Sequence, residues 1–451
     1  MRLFLQPDVI LQSMQGWPVL SRDNVRVVHR LSVDEALALT FLGATGDPHV
    51  AADYCAQCLP HSNGTQVLDR VLDRYWTYLG DGPARPVDLH WLETFALDQP
   101  WLRELSRRDA APTTVIWLVT LACNRRCPYC FYNVTPHAVE RQESPADATF
   151  PLADAVRMVQ EMAQIGTADL YLTGGEPLLR KDLLEVIHTA AAVRVRTRLV
   201  TKYPVDRSYA QRLRQAGLCA VTVSLDDARP REAAALAGAS GYLEEAKTAI
   251  TAFLEAGIPL EVNAVVTRVN IHHLEPLVQL AITLGVPKLT LSTYTLPSPL
   301  RPGSLRLVPT EGSLPDTVAT LQQQYGHRLT LGLGGAASGG GWDPCGDQTV
   351  CNVGIRDVHV LPDGRVTRCR YLPGYDALIV GSLLQQTLMD IWEGAPLAAF
   401  SHPERSLYAG TACHGCGGFQ ACNTRGRCYY TALSQAGRLH APDDFCQQGL
   451  H

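Results

Sequence analysis

From residue 113 to about 300, short apolar runs alternate with helical patterns. This rhythm limits the fold more than any other feature of the chain. The strand-like runs cover residues 115–121, 170–173, 197–201, 220–225, 260–266 and 288–292. Helical spacing fills the intervals at 153–164, 183–192, 209–216, 242–256 and 274–284. Alternation of this kind predicts βαβ units, and so an α/β fold on a parallel sheet.

Three cysteines, Cys123, Cys127 and Cys130, follow the first run directly and fall on the loop after that strand. Three thiolates can hold three irons of a four-iron cluster and leave the fourth iron open to a small molecule. The rest of the composition agrees with ligation. The chain has 14 cysteines, and its start lacks the long apolar region of a signal peptide. The expectation is therefore a cytoplasmic protein, where disulfides are rare and regular cysteine spacing points to metal or clusters. A net charge of -5 gives no electrostatic case for nucleic acid or an anionic membrane. No apolar run reaches the roughly 20 residues of a membrane helix.

After the second run stands Gly174-Gly175-Glu176-Pro177. With the Cys-x3-Cys-x2-Cys loop and Tyr129 before its last cysteine, this segment resembles the radical S-adenosylmethionine (SAM) family. The resemblance implies a partial (βα)6 TIM-like barrel with its chemistry at the C-terminal ends of the strands. It makes Cys123, Cys127 and Cys130 the ligands of the radical-initiating [4Fe-4S] cluster. It implies that Gly174, Gly175, Glu176 and Pro177 contact the amino group of SAM, with Glu176 supplying charge. Ser224, Asp226 and Asn263 would hold the ribose and carboxylate, with Tyr129 near the adenine. By themselves these residues also read as a strand-to-helix turn and as polar strand ends. The implied reaction reduces SAM to a 5′-deoxyadenosyl radical, which abstracts hydrogen from an unactivated carbon.

The C-terminal quarter is dense in cysteine. Cys351 precedes Gly364 and Cys369; Cys413, Cys416 and Cys422 follow, then Cys428 and Cys446. The run resembles the SPASM domain, which carries two auxiliary four-iron clusters. It departs once, because five residues separate Cys422 from Cys428 where the family has three. Carried over, the resemblance assigns Cys345, Cys351, Cys369 and Cys428 to one cluster. It assigns Cys413, Cys416, Cys422 and Cys446 to the other, making three [4Fe-4S] clusters in all. Structural zinc on four cysteines is the alternative. Eight ligands close both auxiliary clusters, which favours electron relay over capture of a substrate thiolate. Arg370 stands where sulfatase-maturing relatives often carry an aspartate base.

Ahead of the barrel, residues 9–11, 17–20 and 25–29 are strand-like, and 34–42, 50–59 and 67–79 are helical. This pattern suggests a winged-helix-like module. It resembles the precursor-recognition (PqqD-like) domains of peptide natural-product enzymes, which bind a leader peptide as an extra strand. Residues 25–30 are the expected edge; a plain structural module is the alternative. The expected organisation is 1–82 peptide-recognition domain, 83–112 linker, 113–310 radical SAM barrel, 311–344 connector with a Gly-rich loop, and 345–451 SPASM domain. The expected partners are a ribosomal precursor peptide and a reductant such as flavodoxin or ferredoxin. The implied activity is oxidative cross-linking of that peptide. Epimerisation, maturation of a protein partner and a degenerate peptide-binding scaffold are the alternatives. Cys55 and Cys58 read as small residues on a buried helix face, with a zinc site as the second reading. Cys219 reads as core, with a hydrogen-donating thiol as the second reading.

Overall fold

The computed structural model describes residues 4–6, 9–14, 17–22, 28–58, 63–80, 111–130, 150–294, 304–309, 314–334, 351–372, 374–401, 403–419, 422–423, 426–444 and 446. Cys345, the expected linker except its last two residues, and most of the Gly-rich tract lie outside these residues.

The N-terminal strands are β1 (Phe4–Leu5), β2 (Val9–Met14), β3 (Trp17–Arg22), β4 (Val28–Arg30) and β5 (Leu79–Gly80). β2, β3 and β4 form an antiparallel sheet in that order, so β4 is an edge. Three helices follow, Val33–Thr45, Pro48–Cys58 and Gly64–Arg74, and β5 returns to pair with β1. The first helix starts on a capping box, Ser32 with Glu35, which satisfies two otherwise orphaned amides. Burial pushes the Glu35 carboxyl up, but Arg74 at 2.6 Å and the Ser32 amide overcome this and leave it below its usual range. Cys55 is buried in the core of this module.

The barrel strands are β6 (Thr114–Thr120), β7 (Asp169–Gly174), β8 (Arg196–Thr201), β9 (Ala220–Ser224), β10 (Leu260–Val266), β11 (Lys288–Thr293) and β12 (Thr330–Gly334). All are parallel and lie in sequence order. Val115, Trp117, Leu170, Leu172, Leu199, Val221, Val262 and Leu289 turn outward into the main core beneath the helices. Strand alternation then turns Tyr171, Arg198, Thr222, Asn263 and Ser292 to the inner face, beside the apolar Ile116, Leu118, Val200 and Val265, so polar groups line part of the barrel interior.

Two features differ from the sequence reading. The tract expected as a connector contains a helix, Leu314–Tyr325, and the seventh strand, β12. Glycine there reflects packing, because a Cβ on Gly334 would stand 2.5 Å from Ser292 Oγ. An additional helix, Pro230–Ala237, lies between β9 and the helix Tyr242–Glu255.

The C-terminal strands β13 (Asp357–Val360), β14 (Arg365–Thr367) and β15 (Ile379–Ser382) join the same sheet. β13 pairs in parallel with β6 on the side away from β7, and β14 and β15 continue antiparallel. Gly364, the glycine of the SPASM-like pattern, makes the β13–β14 turn at φ 82°. A Cβ there would lie 2.6 Å from the Phe150 ring, so the turn is pressed onto the barrel.

The N-terminal module docks at the start of the barrel strands. Tyr78 donates to the Ile165 carbonyl at 3.2 Å. Asp73 pairs with Arg196 at 3.1 Å and Arg198 at 3.5 Å, and the Arg194 and Arg196 guanidiniums lie over the Trp76 ring. Among the described residues, no helix is long and apolar enough to cross a membrane.

Candidate active site and cysteine clusters

The cysteine loop leaves the C-terminal end of β6, and Gly174-Gly175 leaves the same end of β7. The two backbones are in contact. Gly175 N–H donates to the Thr120 carbonyl at 2.6 Å, and Glu176 N–H to the Ala122 carbonyl at 2.8 Å. Gly174 has φ 124°, where side chains are strained. A Cβ on Gly175 would stand 2.1 Å from the Ala122 carbonyl oxygen. The glycines thus shape the loop that holds the cysteines.

Cys123 is exposed, Cys127 buried and Cys130 half-buried. The Cys130 N–H donates to the Cys127 carbonyl at 3.1 Å, folding the loop back on itself. Arg125 N–H points at Cys123 Sγ from 3.4 Å. Burial pushes the Cys123 thiol up to about 11, and the Cys127 and Cys130 thiols beside it add to the shift. Three soft donors on one folded loop, one facing solvent, fit a cluster with an accessible iron. Arg125 anchors the loop through the Lys202 carbonyl at 2.8 Å and Glu245 at 2.5 Å. The Arg126 N–H is held by the Ala237 carbonyl at 3.1 Å, which gives the unexpected helix Pro230–Ala237 its place in the site.

Glu176 is 1% exposed. Its carboxylate accepts from Leu178 N at 3.1 Å, Thr201 Oγ1 at 2.8 Å and Lys202 N at 3.0 Å. Burial raises its pKa to about 6 against those bonds. The side chain fastens the ends of β7 and β8 together. Pro177, also buried, opens the short turn that follows.

Tyr129, Lys202 and Asp226 meet at the ends of β8 and β9. The Asp226 carboxylate accepts from Tyr129 Oη at 2.5 Å, Lys202 Nζ at 2.5 Å and Val265 N at 2.9 Å. Lys202 Nζ also donates to Tyr129 Oη and lies over the Tyr129 and Tyr242 rings. Burial opposes the Lys202 charge, but Asp226 more than compensates and keeps the amine protonated well above its usual range. Lys202 was not singled out from sequence. A lysine after a strand reads as a surface cap, and only the position directly following Thr201 at a strand end hinted otherwise. Ser224 receives the Tyr242 hydroxyl on its carbonyl. Asn263 Oδ1 accepts from Ser292 Oγ at 2.6 Å. Both stand on the inner face.

The C-terminal cysteines form two groups. Burial raises Cys369 to about 12 and Cys428 to about 11; Cys428 and Cys351 act on the first, and Cys351 on the second. Cys369 and Cys428 also pack against the same apolar cluster of Leu372, Leu378, Tyr429 and Tyr430, despite the longer spacing. Cys413 is raised by burial and, more weakly, by Cys446 and Cys422. Cys416 follows one turn after Cys413 and its Sγ accepts from Gly418 N at 3.3 Å. Each group has a buried arginine at a sulfur: Arg368 Nη1 is 2.9 Å from Cys351 Sγ, and Arg427 Nη1 is 4.0 Å from Cys413 Sγ. All-thiol donors beside a buried cation fit an anionic iron–sulfur group. Among the described residues, no three His, Cys, Asp or Glu side chains are grouped for a single metal ion. Cys219 precedes β9 and lies at the barrel end opposite the cysteine loop, so the structure does not bring it to the site.

The Radical SAM superfamily model matches residues 117–281, and the SPASM iron-sulfur cluster-binding domain model matches residues 351–417. The PqqA peptide cyclase of Methylocella silvestris is 25% identical over 347 residues, covering 74% of this chain and 87% of the relative. That of Methylobacterium nodulans is 26% identical over 352 residues, covering 74% and 86%. The fold is similar to that of Streptococcus suis SuiB bound to S-adenosylmethionine, with a TM-score of 0.63 at 16% identity over 99% of this chain and 100% of SuiB. Native anSMEcpe with bound AdoMet gives a TM-score of 0.51 at 16% identity over 74% of this chain and 93% of that one. The cysteine loop on a parallel barrel, the two cysteine groups and these matches lead to one assignment: the chain is an enzyme of the radical SAM superfamily with a C-terminal SPASM iron–sulfur domain.

Proposed function

We propose that the enzyme introduces an oxidative cross-link into a ribosomally made precursor peptide whose leader is held by the N-terminal module. The observation that carries this is the full-length likeness to SuiB, a protein also solved bound to precursor peptide SuiA; that structure matches 99% of this chain, N-terminal module included. The PqqA peptide cyclases among the relatives support peptide as the substrate class. Arg370, which has no carboxylate to offer as a base, speaks against sulfatase-type maturation. The placement of Cys219 removes the one thiol the sequence offered for epimerisation.

Cys123, Cys127 and Cys130 would hold the SAM-binding cluster. Cys351, Cys369, Cys428 and Cys345 would hold the first auxiliary cluster, and Cys413, Cys416, Cys422 and Cys446 the second. When bound, the clusters and SAM supply one-electron hydrogen-abstraction chemistry, with electrons from a flavodoxin or ferredoxin. The chain's own residues position these groups. Gly174, Gly175 and Glu176 fix the cysteine loop against β7 and β8. Tyr129, Lys202 and Asp226 keep the mouth polar and fully hydrogen-bonded, and Ser224 and Asn263 offer polar groups along the inner face. The leader would add to the β4 edge; residues 25–27 of the expected edge lie outside the described residues. The module docks at the far end of the barrel from the cysteine loop. The peptide must therefore run about 20 Å, on the order of six extended residues, from the docked end to the site.

The test is the mass of a candidate precursor after turnover by anaerobically reconstituted enzyme. Loss of two hydrogens is expected. Unchanged mass with deuterium uptake from solvent would replace cross-linking by epimerisation. Iron should total about 12 per chain, four for each cluster.

A further inference from the structure

We propose that Arg368 and Arg427 are redox-positioning residues, each raising the reduction potential of the auxiliary cluster whose cysteine it faces. The proposal rests on the cluster assignment above and goes beyond it.

The two arginines are built alike. Arg368 is 2% exposed and Arg427 is 6% exposed. Each directly precedes a cysteine, Cys369 and Cys428. Neither has a carboxylate within ion-pair distance among the described residues. Arg368 points Nη1 at Cys351 Sγ from 2.9 Å, and its Nε has no hydrogen-bond partner among the described residues. Its guanidinium lies over the Tyr429 ring at 5.2 Å. Arg427 donates from Nε to Asn423 Oδ1 at 2.6 Å and from Nη2 to the Phe419 carbonyl at 3.0 Å. Its guanidinium lies 4.6 Å from the Tyr408 ring centre and 4.4 Å from that of Phe419. Nη1 is left towards Cys413 Sγ at 4.0 Å.

A buried guanidinium without a counter-anion is costly. The nearby anions on offer are the thiolates of a bound cluster. A thiolate cluster gains negative charge on reduction. A fixed cation and an N–H donor at its sulfur favour the reduced state and lift the potential. The effect is strong because aromatic rings exclude water from both arginines. Arg427 belongs to the five-residue segment between Cys422 and Cys428, where the chain departs from the usual SPASM spacing. The longer segment brings a cation from beside the first group to the sulfur of the second. Both auxiliary clusters are thereby set to accept electrons.

The experiment is an EPR-monitored redox titration of reconstituted full-length enzyme, with iron content measured alongside. Arg368→Gln should lower the midpoint of the first auxiliary cluster alone, and Arg427→Gln that of the second alone. Each shift should be at least tenfold in the one-electron equilibrium, which is about 59 mV. Arg368→Lys and Arg427→Lys keep the charge and should stay within a few-fold of wild type. Unmoved midpoints in fully loaded Gln variants would overturn the proposal, as would Lys variants that shift as far as Gln. If a Gln variant does not retain its cluster, the Lys variant decides. A loaded cluster with a wild-type midpoint supports the charge role, whereas cluster loss there too makes the arginine a packing element and overturns it. Wild-type enzyme without auxiliary signals would instead remove the cluster assignment itself.

Discussion

Replacing Gly175 by alanine tests whether the Gly174–Gly175 segment is a mould for the cysteine loop. The backbone of Gly175 is not in the left-handed region, so alanine adds a methyl group without torsional strain. That methyl would meet the Ala122 carbonyl oxygen at 2.1 Å and the Leu121 carbonyl oxygen at 2.7 Å, whereas ordinary contact begins near 3.4 Å. Both obstacles are backbone atoms of the loop, so the loop must retreat by about 1.3 Å, and a misplacement near 1 Å costs on the order of 10²-fold in rate. Deoxyadenosine formation by the reconstituted variant should therefore fall by about that factor, roughly 2.7 kcal/mol of barrier. Auxiliary iron should be unchanged. Gly241→Ala is the control. Its φ is 74° and nothing lies within 4 Å of the added methyl, so it costs about 1–2 kcal/mol of stability but leaves the rate. A Gly175→Ala enzyme with wild-type rate and full iron would refute the mould.

Lys202→Met should strand the buried Asp226 carboxylate and cost about 3–5 kcal/mol; the double variant with Asp226→Asn should recover most of it, read by anaerobic urea unfolding. Cys428→Ala should remove roughly four irons, while Cys219→Ala should leave both iron and product unchanged; iron and product assays check this. Glu35, held below the ordinary carboxylate range by Arg74 and the Ser32 amide, should contribute stability that is present above the unfolded carboxyl's pKa of about 4.3 and is lost as the pH falls through its lower folded value. Urea midpoints from pH 7 downward should show that acid loss in the wild type, and Glu35→Gln should lack this component.

Much of the barrel was legible because two periodicities carry it. Strands such as β6 and β10 and helices such as Leu183–Ala192 bury one face each, and burial writes itself into the pattern. The seventh strand, Thr-Leu-Gly-Leu-Gly, was not legible. Its glycines answer to Thr290 and Ser292 on the neighbouring strand, a constraint absent from local sequence. The cysteine loop and the Gly174–Pro177 segment could be read from spacing. The work of Glu176 could not: its carboxylate is fixed by Thr201 and Lys202, which come together only when β7 and β8 align. The same holds for Lys202 itself, whose partner Asp226 lies on another strand. Cys428 is ambiguous by spacing; its packing with Cys369 against Leu372, Leu378, Tyr429 and Tyr430 supports placing it in the first group.

The pairing of β13 with β6 has a consequence for dissecting the enzyme. β6 carries the cysteine loop, and without β13 its backbone donors and acceptors on that side would face solvent along an apolar strand. Exposed edges of this kind template pairing between chains. A barrel cut before residue 357 would be expected to self-associate into aggregates. The C-terminal iron–sulfur domain is therefore also the guard of the strand that carries the cysteine loop.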